Sequence, residues 1–366
     1  MTEPRDLIAH QWLPGRSSDN YRATPMYPRT PSTHGSRARA IIAMVLLGIA
    51  VLASVRPSNG YAGSANRSPG SAATANLVAQ EPTDAAAPTE TLSAADAIIL
   101  GLVEGITEYL PVSSTGHLVV TERLLGIGET DEARDAIDSY TVIIQFGAII
   151  AVVFLYWPRI VQLLRGIVGR SEPGRRLFHA LVVAFIPAPI VGFVGSALID
   201  EHLLKPIPIA AAWIVGGIGI LVFVDRLRRD SHTGTLLEDV TIRQAVLIGG
   251  MQVLALWPGM SRSLVTIVGA LLAGMTLAAA VEFSFLLGLA TLSGASLYFA
   301  AKDGSEVVDT FGLAMPLLGI VVAGISAAVA VRSLVAYLNK RDLKIFGWYR
   351  IVIGVATIAL VITDVI

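Results

Sequence analysis

The chain has 366 residues, of which 54% are hydrophobic and only 15% charged, with a formal net charge of −1 and no cysteine. Soluble domains carry about a quarter of their residues as charged side chains, so this composition points to an all-α polytopic membrane protein. The missing cysteines exclude disulfides, zinc-thiolate sites and thiol nucleophiles. Arginines spread through short loops, rather than gathered on one basic face, give no sign of nucleic acid as a partner.

Residues 1–92 read as an extension without a fold of its own. Its first 36 residues are polar and rich in Pro, Ser and Arg. An apolar segment at 40–54 follows "SRAR" and precedes "YAGSA", the layout of a secretory signal or, given the long polar lead, of an uncleaved anchor helix. Ala, Ser, Pro, Thr and Gly without periodicity then make a linker. The membrane core, 93–366, opens on "SAAD", which matches a helix-capping box.

Six runs in the core are long enough to span, at about 139–157, 177–199, 207–224, 281–301, 311–331 and 345–364. Two further regions, 94–125 and 244–276, each hold two short apolar helices around a polar Pro- and Ser-containing break. Segments this short read as re-entrant hairpins, whose broken backbone must be buried in protein or line a cavity. The loops 158–176, 225–243 and 332–344 concentrate Arg and Lys, so the positive-inside rule places them in the cytoplasm. The loops 121–138, 200–206 and 302–309 then lie outside. The order is hairpin plus three spans, twice: repeat one at 93–224 and repeat two at 244–364, with opposite topology. "GLVEGITEYLPVSS" resembles "GGMQVLALWPGMSRS", and "WIVGGIGILVF" resembles "WYRIVIGVATIALV".

The two breaks carry the chemistry. Glu104 and Glu108 in "EGITEYLPVSSTGH" are four residues apart, on one helical face. Intramembrane carboxylates need a metal, an arginine or a shared proton. "WPGMSRSLVT" supplies Arg262 among Ser261, Ser263 and Thr266, a typical set for phosphate oxygens near a helix N-terminus. Phosphoryl transfer needs charge neutralisation, a nucleophile and proton handling. Arg262 and a metal on Glu104 and Glu108 meet the first need; Ser114 or a water meets the second; His117 and the glutamates meet the third. Gln145 is open to a cross-helix structural bond or a site role. Glu282 is expected in solvent at the cytoplasmic interface, and the other histidines carry no pattern.

With "IIQFGAIIAVV" and "FSFLL", these motifs resemble the bacitracin-resistance family of bacterial undecaprenyl-diphosphate phosphatases, over about 93–364. The resemblance implies hydrolysis of undecaprenyl diphosphate to undecaprenyl phosphate and inorganic phosphate. That reaction recycles the lipid carrier of peptidoglycan synthesis and confers bacitracin resistance. It implies catalytic roles for Glu104, Glu108, Ser114, His117 and Arg262, and phosphate binding by Ser113, Thr115, Ser261, Ser263 and Thr266. It also implies a divalent cation, Mg2+ or Ca2+, on Glu104 and Glu108, and a plasma-membrane site open to the outer, periplasmic face. The polyprenyl diphosphate lipid is the expected partner, and a homodimer is an arrangement left open. Leu264 departs from the small residue usual after "SRS" and is expected to crowd the phosphate loop. A type 2 phosphatidic-acid phosphatase is excluded, because it needs a histidine after its Ser-Arg and the last histidine here is His232. A polyprenyl-phosphate flippase remains as the rival reading. It uses inverted repeats with broken helices but needs no nucleophile.

Overall fold

The computed structural model describes residues 92–128, 130–230 and 234–366. Apart from Leu92, the extension with its apolar segment 40–54 lies outside the described residues. Twelve α-helices form among the described residues, whose one β-bridge joins Thr235 to Met275.

The first short pair is α1 (Ala94–Thr107) and α2 (Ser114–Leu125). α1 starts on the expected capping box: the Ser93 hydroxyl accepts from the Asp96 amide at 3.2 Å, and the Asp96 carboxylate accepts from the Ser93 amide at 3.0 Å. At about 1.5 Å per residue neither helix covers a hydrocarbon layer of about 30 Å. Next come α3 (Asp131–Leu155), α4 (Trp157–Ile167), α5 (Glu172–Phe185), α6 (Pro187–Leu198) and α7 (Pro206–Asp230). α5 and α6 together make one span-length segment, divided at Pro187, which lacks the amide that would continue the ladder. The Gln252 side-chain amide donates to the Ala184 carbonyl at 3.2 Å, so a neighbouring helix supplies a donor beside the bend.

The second short pair is α8 (Ile242–Gln252) and α9 (Arg262–Leu272), and α8 also begins on a capping box, Thr241 with Gln244. Three long helices follow: α10 (Leu277–Phe311), α11 (Ala314–Leu338) and α12 (Lys344–Ile362). Six segments are long and apolar enough to cross a membrane, in the six places expected.

One loop is a correction. Residues 302–309 were expected outside any helix but complete the 35-residue α10. The stretch lacks proline, and the helix stops only at Gly312, whose φ of 71° ends it.

Within each short pair the helices pack on each other. α1 packs on α11 as α8 packs on α5; α3 packs on α10 and α7 on α12. Close approach depends on small residues: a Cβ at Gly105 would collide with the Ala323 carbonyl and the Ser326 hydroxyl of α11. Glu282 is a second correction. Its side chain is only 12% exposed and takes Arg159 of α4 at 2.7 Å and 3.2 Å, while Arg159 also holds Glu238 at 2.6 Å. A largely covered carboxylate in the second turn of α10 needs this partner, and Arg159 of α4 reaches it.

Candidate active site

The first break begins where α1 ends. Glu108 caps α1 in helical conformation, its amide bonded to the Glu104 carbonyl at 2.9 Å, so both carboxylates stay on one face. Tyr109 to Ser113 then turn the chain, and Ser113 takes φ 74° and ψ 106°. The second break repeats this local shape: Ser261 has φ 72° and ψ 114°. Positive φ is rare and strained for a residue with a side chain. Both serines stand one residue before a helix, so Ser114 opens α2 and Arg262 opens α9. Each break thus presents a polar side chain beside the first amides of a helix.

The breaks meet at Glu108. One of its oxygens accepts from Arg262 Nη2 at 2.8 Å, and the other accepts a short hydrogen bond from the Ser114 hydroxyl. Arg262 Nη1 donates to the Ser284 carbonyl of α10 at 3.1 Å, and the guanidinium carbon lies 5.4 Å from the Tyr109 ring centroid. Gly288 faces the same guanidinium so closely that a Cβ there would overlap it. Glu104 is fully buried one turn before Glu108, and neither of its oxygens has a hydrogen-bond partner.

The other expected residues take different places. The Ser263 hydroxyl donates across to the Leu110 carbonyl at 2.8 Å, fastening the second break to the first. The Ser261 hydroxyl caps the Leu264 amide at 3.3 Å and lies 3.0 Å from that of Ser263. Thr266 donates to the Arg262 carbonyl at 2.7 Å and meets the Ser284 hydroxyl at 2.6 Å. Ser261, Ser263 and Thr266 therefore form the frame that carries Arg262. Thr115 is exposed, and Ser113 is buried. His117 has both ring nitrogens engaged, Nδ1 with the Ser113 carbonyl at 2.6 Å and Nε2 with the Tyr349 hydroxyl at 2.7 Å. The Gln145 side-chain oxygen is buried without a partner. Leu264 is buried in the main apolar cluster.

Arg350 escaped the sequence reading. It is fully buried in α12, and its guanidinium donates to the carbonyls of Pro111 at 3.4 Å, Gly259 at 2.9 Å and Ala212 at 3.0 Å. It therefore ties both breaks to α7. The signal was present, since an arginine inside an otherwise apolar span needs an internal partner. Tyr109, Ser284 and Tyr349 carried no such signal, because tyrosine and serine are ordinary within spans.

A profile described as "Bacitracin resistance protein BacA" matches residues 97–356, and both breaks fall inside that match. The chain belongs to this family. It is 42% identical over 264 residues to a protein named undecaprenyl-diphosphatase from Sorangium cellulosum, covering 71% of this chain and 83% of that one. A protein of the same name from Psychrobacter cryohalolentis is 41% identical, with 71% and 92% covered. Another from Clostridium novyi is 38% identical over 281 residues, with 74% and 96% covered.

Proposed function

We infer that this chain hydrolyses undecaprenyl diphosphate to undecaprenyl phosphate and inorganic phosphate, through a site built across the two breaks. The observation that carries the reading is the Ser114–Glu108–Arg262 chain of hydrogen bonds, within a family match covering both motifs. By this reaction the protein returns the lipid carrier to peptidoglycan synthesis and supports bacitracin resistance.

In the proposed mechanism the Ser114 Oγ attacks the terminal phosphorus while its proton passes to the Glu108 oxygen it already contacts. The P–O–P bond breaks and undecaprenyl phosphate departs as an anion that needs no proton donor. Water then attacks the phosphoserine, Glu108 returns its proton to Ser114, and inorganic phosphate leaves with the protons of the water. Arg262 aims Glu108 at the serine and offers positive charge to the phosphate oxygens. The amides at the start of α2 and α9 add donors for the same oxygens.

A divalent cation fits Glu104, whose two buried oxygens have no partner, better than Glu108, whose oxygens are both engaged. Among the described residues no group of three or more His, Asp or Glu side chains is placed to hold a metal ion. One or two carboxylates completed by substrate phosphates is a usual Mg2+ arrangement. When bound, the ion would supply charge neutralisation at the diphosphate.

We assign the short pairs as re-entrant hairpins in an inverted-topology repeat. Matched capping boxes, paired positive-φ serines and the reciprocal helix packing support this. The basic loops assign α4 and the 332–344 loop to the cytoplasm, and the family's lipid-carrier recycling is the reason to open the site toward the outer face of a bacterial plasma membrane. A flippase would not need the Ser114–Glu108 contact, and no observation favours transport.

The test is phosphate release from undecaprenyl diphosphate by purified protein in detergent, where no leaflets exist. Activity that falls on chelation and returns with Mg2+ or Ca2+ supports the cation on Glu104. Full activity after exhaustive chelation removes it from the scheme, and absence of phosphate release refutes the phosphatase reading.

A further inference from the structure

Resting on that phosphatase reading, we propose that Tyr349 positions the reactive serine by orienting His117, and that His117 holds the Ser113–Ser114 peptide instead of carrying a proton to or from the substrate. The geometry sets the direction of each bond. A backbone carbonyl can only accept, so the 2.6 Å contact with the Ser113 carbonyl puts the hydrogen on His117 Nδ1. A neutral ring then has Nε2 as its acceptor, and the Tyr349 hydroxyl fills it at 2.7 Å. The two rings are nearly parallel, 8° apart, with centroids at 5.7 Å, while Trp213 meets the imidazole edge-on at 4.9 Å. The Ser113 carbonyl thus sets the tautomer, and Tyr349 and Trp213 fix the tilt of the ring.

Comparison of the two breaks shows why the first needs this support. Ser261 and Ser113 have the same unusual backbone shape, but Ser261 is held twice. Its hydroxyl caps the Leu264 amide, and its carbonyl takes the Val265 amide at 3.1 Å. Ser113 makes no side-chain cap, and the matching backbone bond, from the His117 amide, is stretched to 3.5 Å. The imidazole supplies the hold that the backbone does not. A trans peptide points the Ser113 carbonyl and the Ser114 amide in opposite directions. Anchoring that carbonyl on His117 therefore aims the Ser114 amide the other way and sets the Cα from which the nucleophile extends. The proton of Ser114 already has a destination in Glu108, and both His117 nitrogens are occupied.

The experiment uses full-length protein and undecaprenyl diphosphate in detergent, with wild type, Tyr349→Phe, His117→Asn and His117→Ala side by side. Tyr349→Phe keeps the stacked ring and loses only the hydroxyl. It is expected to lower kcat about tenfold at unchanged KM, the kinetic equivalent of one hydrogen bond, with an unchanged thermal midpoint. In nitrogen-15 spectra, the His117 ring is expected to be the Nδ1–H tautomer in both proteins, with the Nε2 resonance shifted in Tyr349→Phe because that acceptor loses its hydroxyl donor. Asparagine places an amide donor where Nδ1 stands but cannot shuttle protons, so His117→Asn should keep far more kcat than His117→Ala. Wild-type kcat in Tyr349→Phe, or His117→Asn no better than His117→Ala, overturns the proposal while leaving the phosphatase reading intact. No phosphate release by wild type would instead strike the reading beneath it.

Discussion

At the residue scale, the cluster is an asymmetric exchange of hydrogen bonds around one carboxylate. Glu108 binds the Arg262 guanidinium through one oxygen and the Ser114 hydroxyl, the proposed nucleophile, through the other, so loss of either neighbour misdirects the remaining one. Arg262→Ala is expected to lower kcat by about 10²–10³, the usual effect of deleting one charge-stabilising donor. Arg262→Lys should recover little, because a point charge cannot reach both Glu108 and the Ser284 carbonyl as a guanidinium fork does. Steady-state phosphate release measures both. Ser114→Ala should abolish turnover and also prevent covalent labelling from substrate radiolabelled in the terminal phosphate. Labelling that survives in Ser114→Ala would exclude Ser114 as nucleophile.

At the scale of elements, the helices serve the site by approaching closely where side chains are absent. Gly288 of α10 leaves the space that the Arg262 guanidinium occupies. Gly288→Ala should improve helix propensity by about 1 kcal/mol, so the protein is expected to hold its thermal midpoint. The added methyl must still displace Arg262, and hydrolysis should fall toward the Arg262→Ala level. Loss of activity at retained stability is the signature, read by thermal unfolding and phosphate release on one preparation. Arg350 belongs to the same scale, since it joins carbonyls from the first break, the second break and α7. Arg350→Met should leave those buried acceptors short of donors at about 1–3 kcal/mol each, lowering both the thermal midpoint and activity. A midpoint unchanged in Arg350→Met would remove its clamping role.

At the scale of the whole molecule, the absence of cysteine makes topology directly measurable. Cysteines placed singly at the exposed positions Arg170 and Glu201 should react from opposite sides of the membrane. Arg170→Cys is expected to label only after the membrane is opened to the cytoplasmic side, and Glu201→Cys in intact cells with an impermeant reagent. Labelling of both from one side would overturn the alternating arrangement.

Apolar run lengths determined the six spans, and capping residues at Ser93 and Thr241 marked where the short helices begin. Those are local properties, set by a solvent that admits only satisfied backbone. The polar breaks were legible for the same reason, because Glu104, Glu108 and Arg262 in such surroundings demand partners. Partnership was not legible. Tertiary structure alone decided that Glu108 takes Arg262 and Ser114, that Glu104 stays unpaired, and that His117 turns to Tyr349. It also decided that Glu282 pairs with Arg159 and that Arg350 reaches both breaks. Apart from Glu108 and Ser114, which are 6 positions apart, these contacts join residues about 90 to 240 positions apart, and no local spacing encodes them. They exist because twelve helices stack so that two strained serine turns arrive at one place.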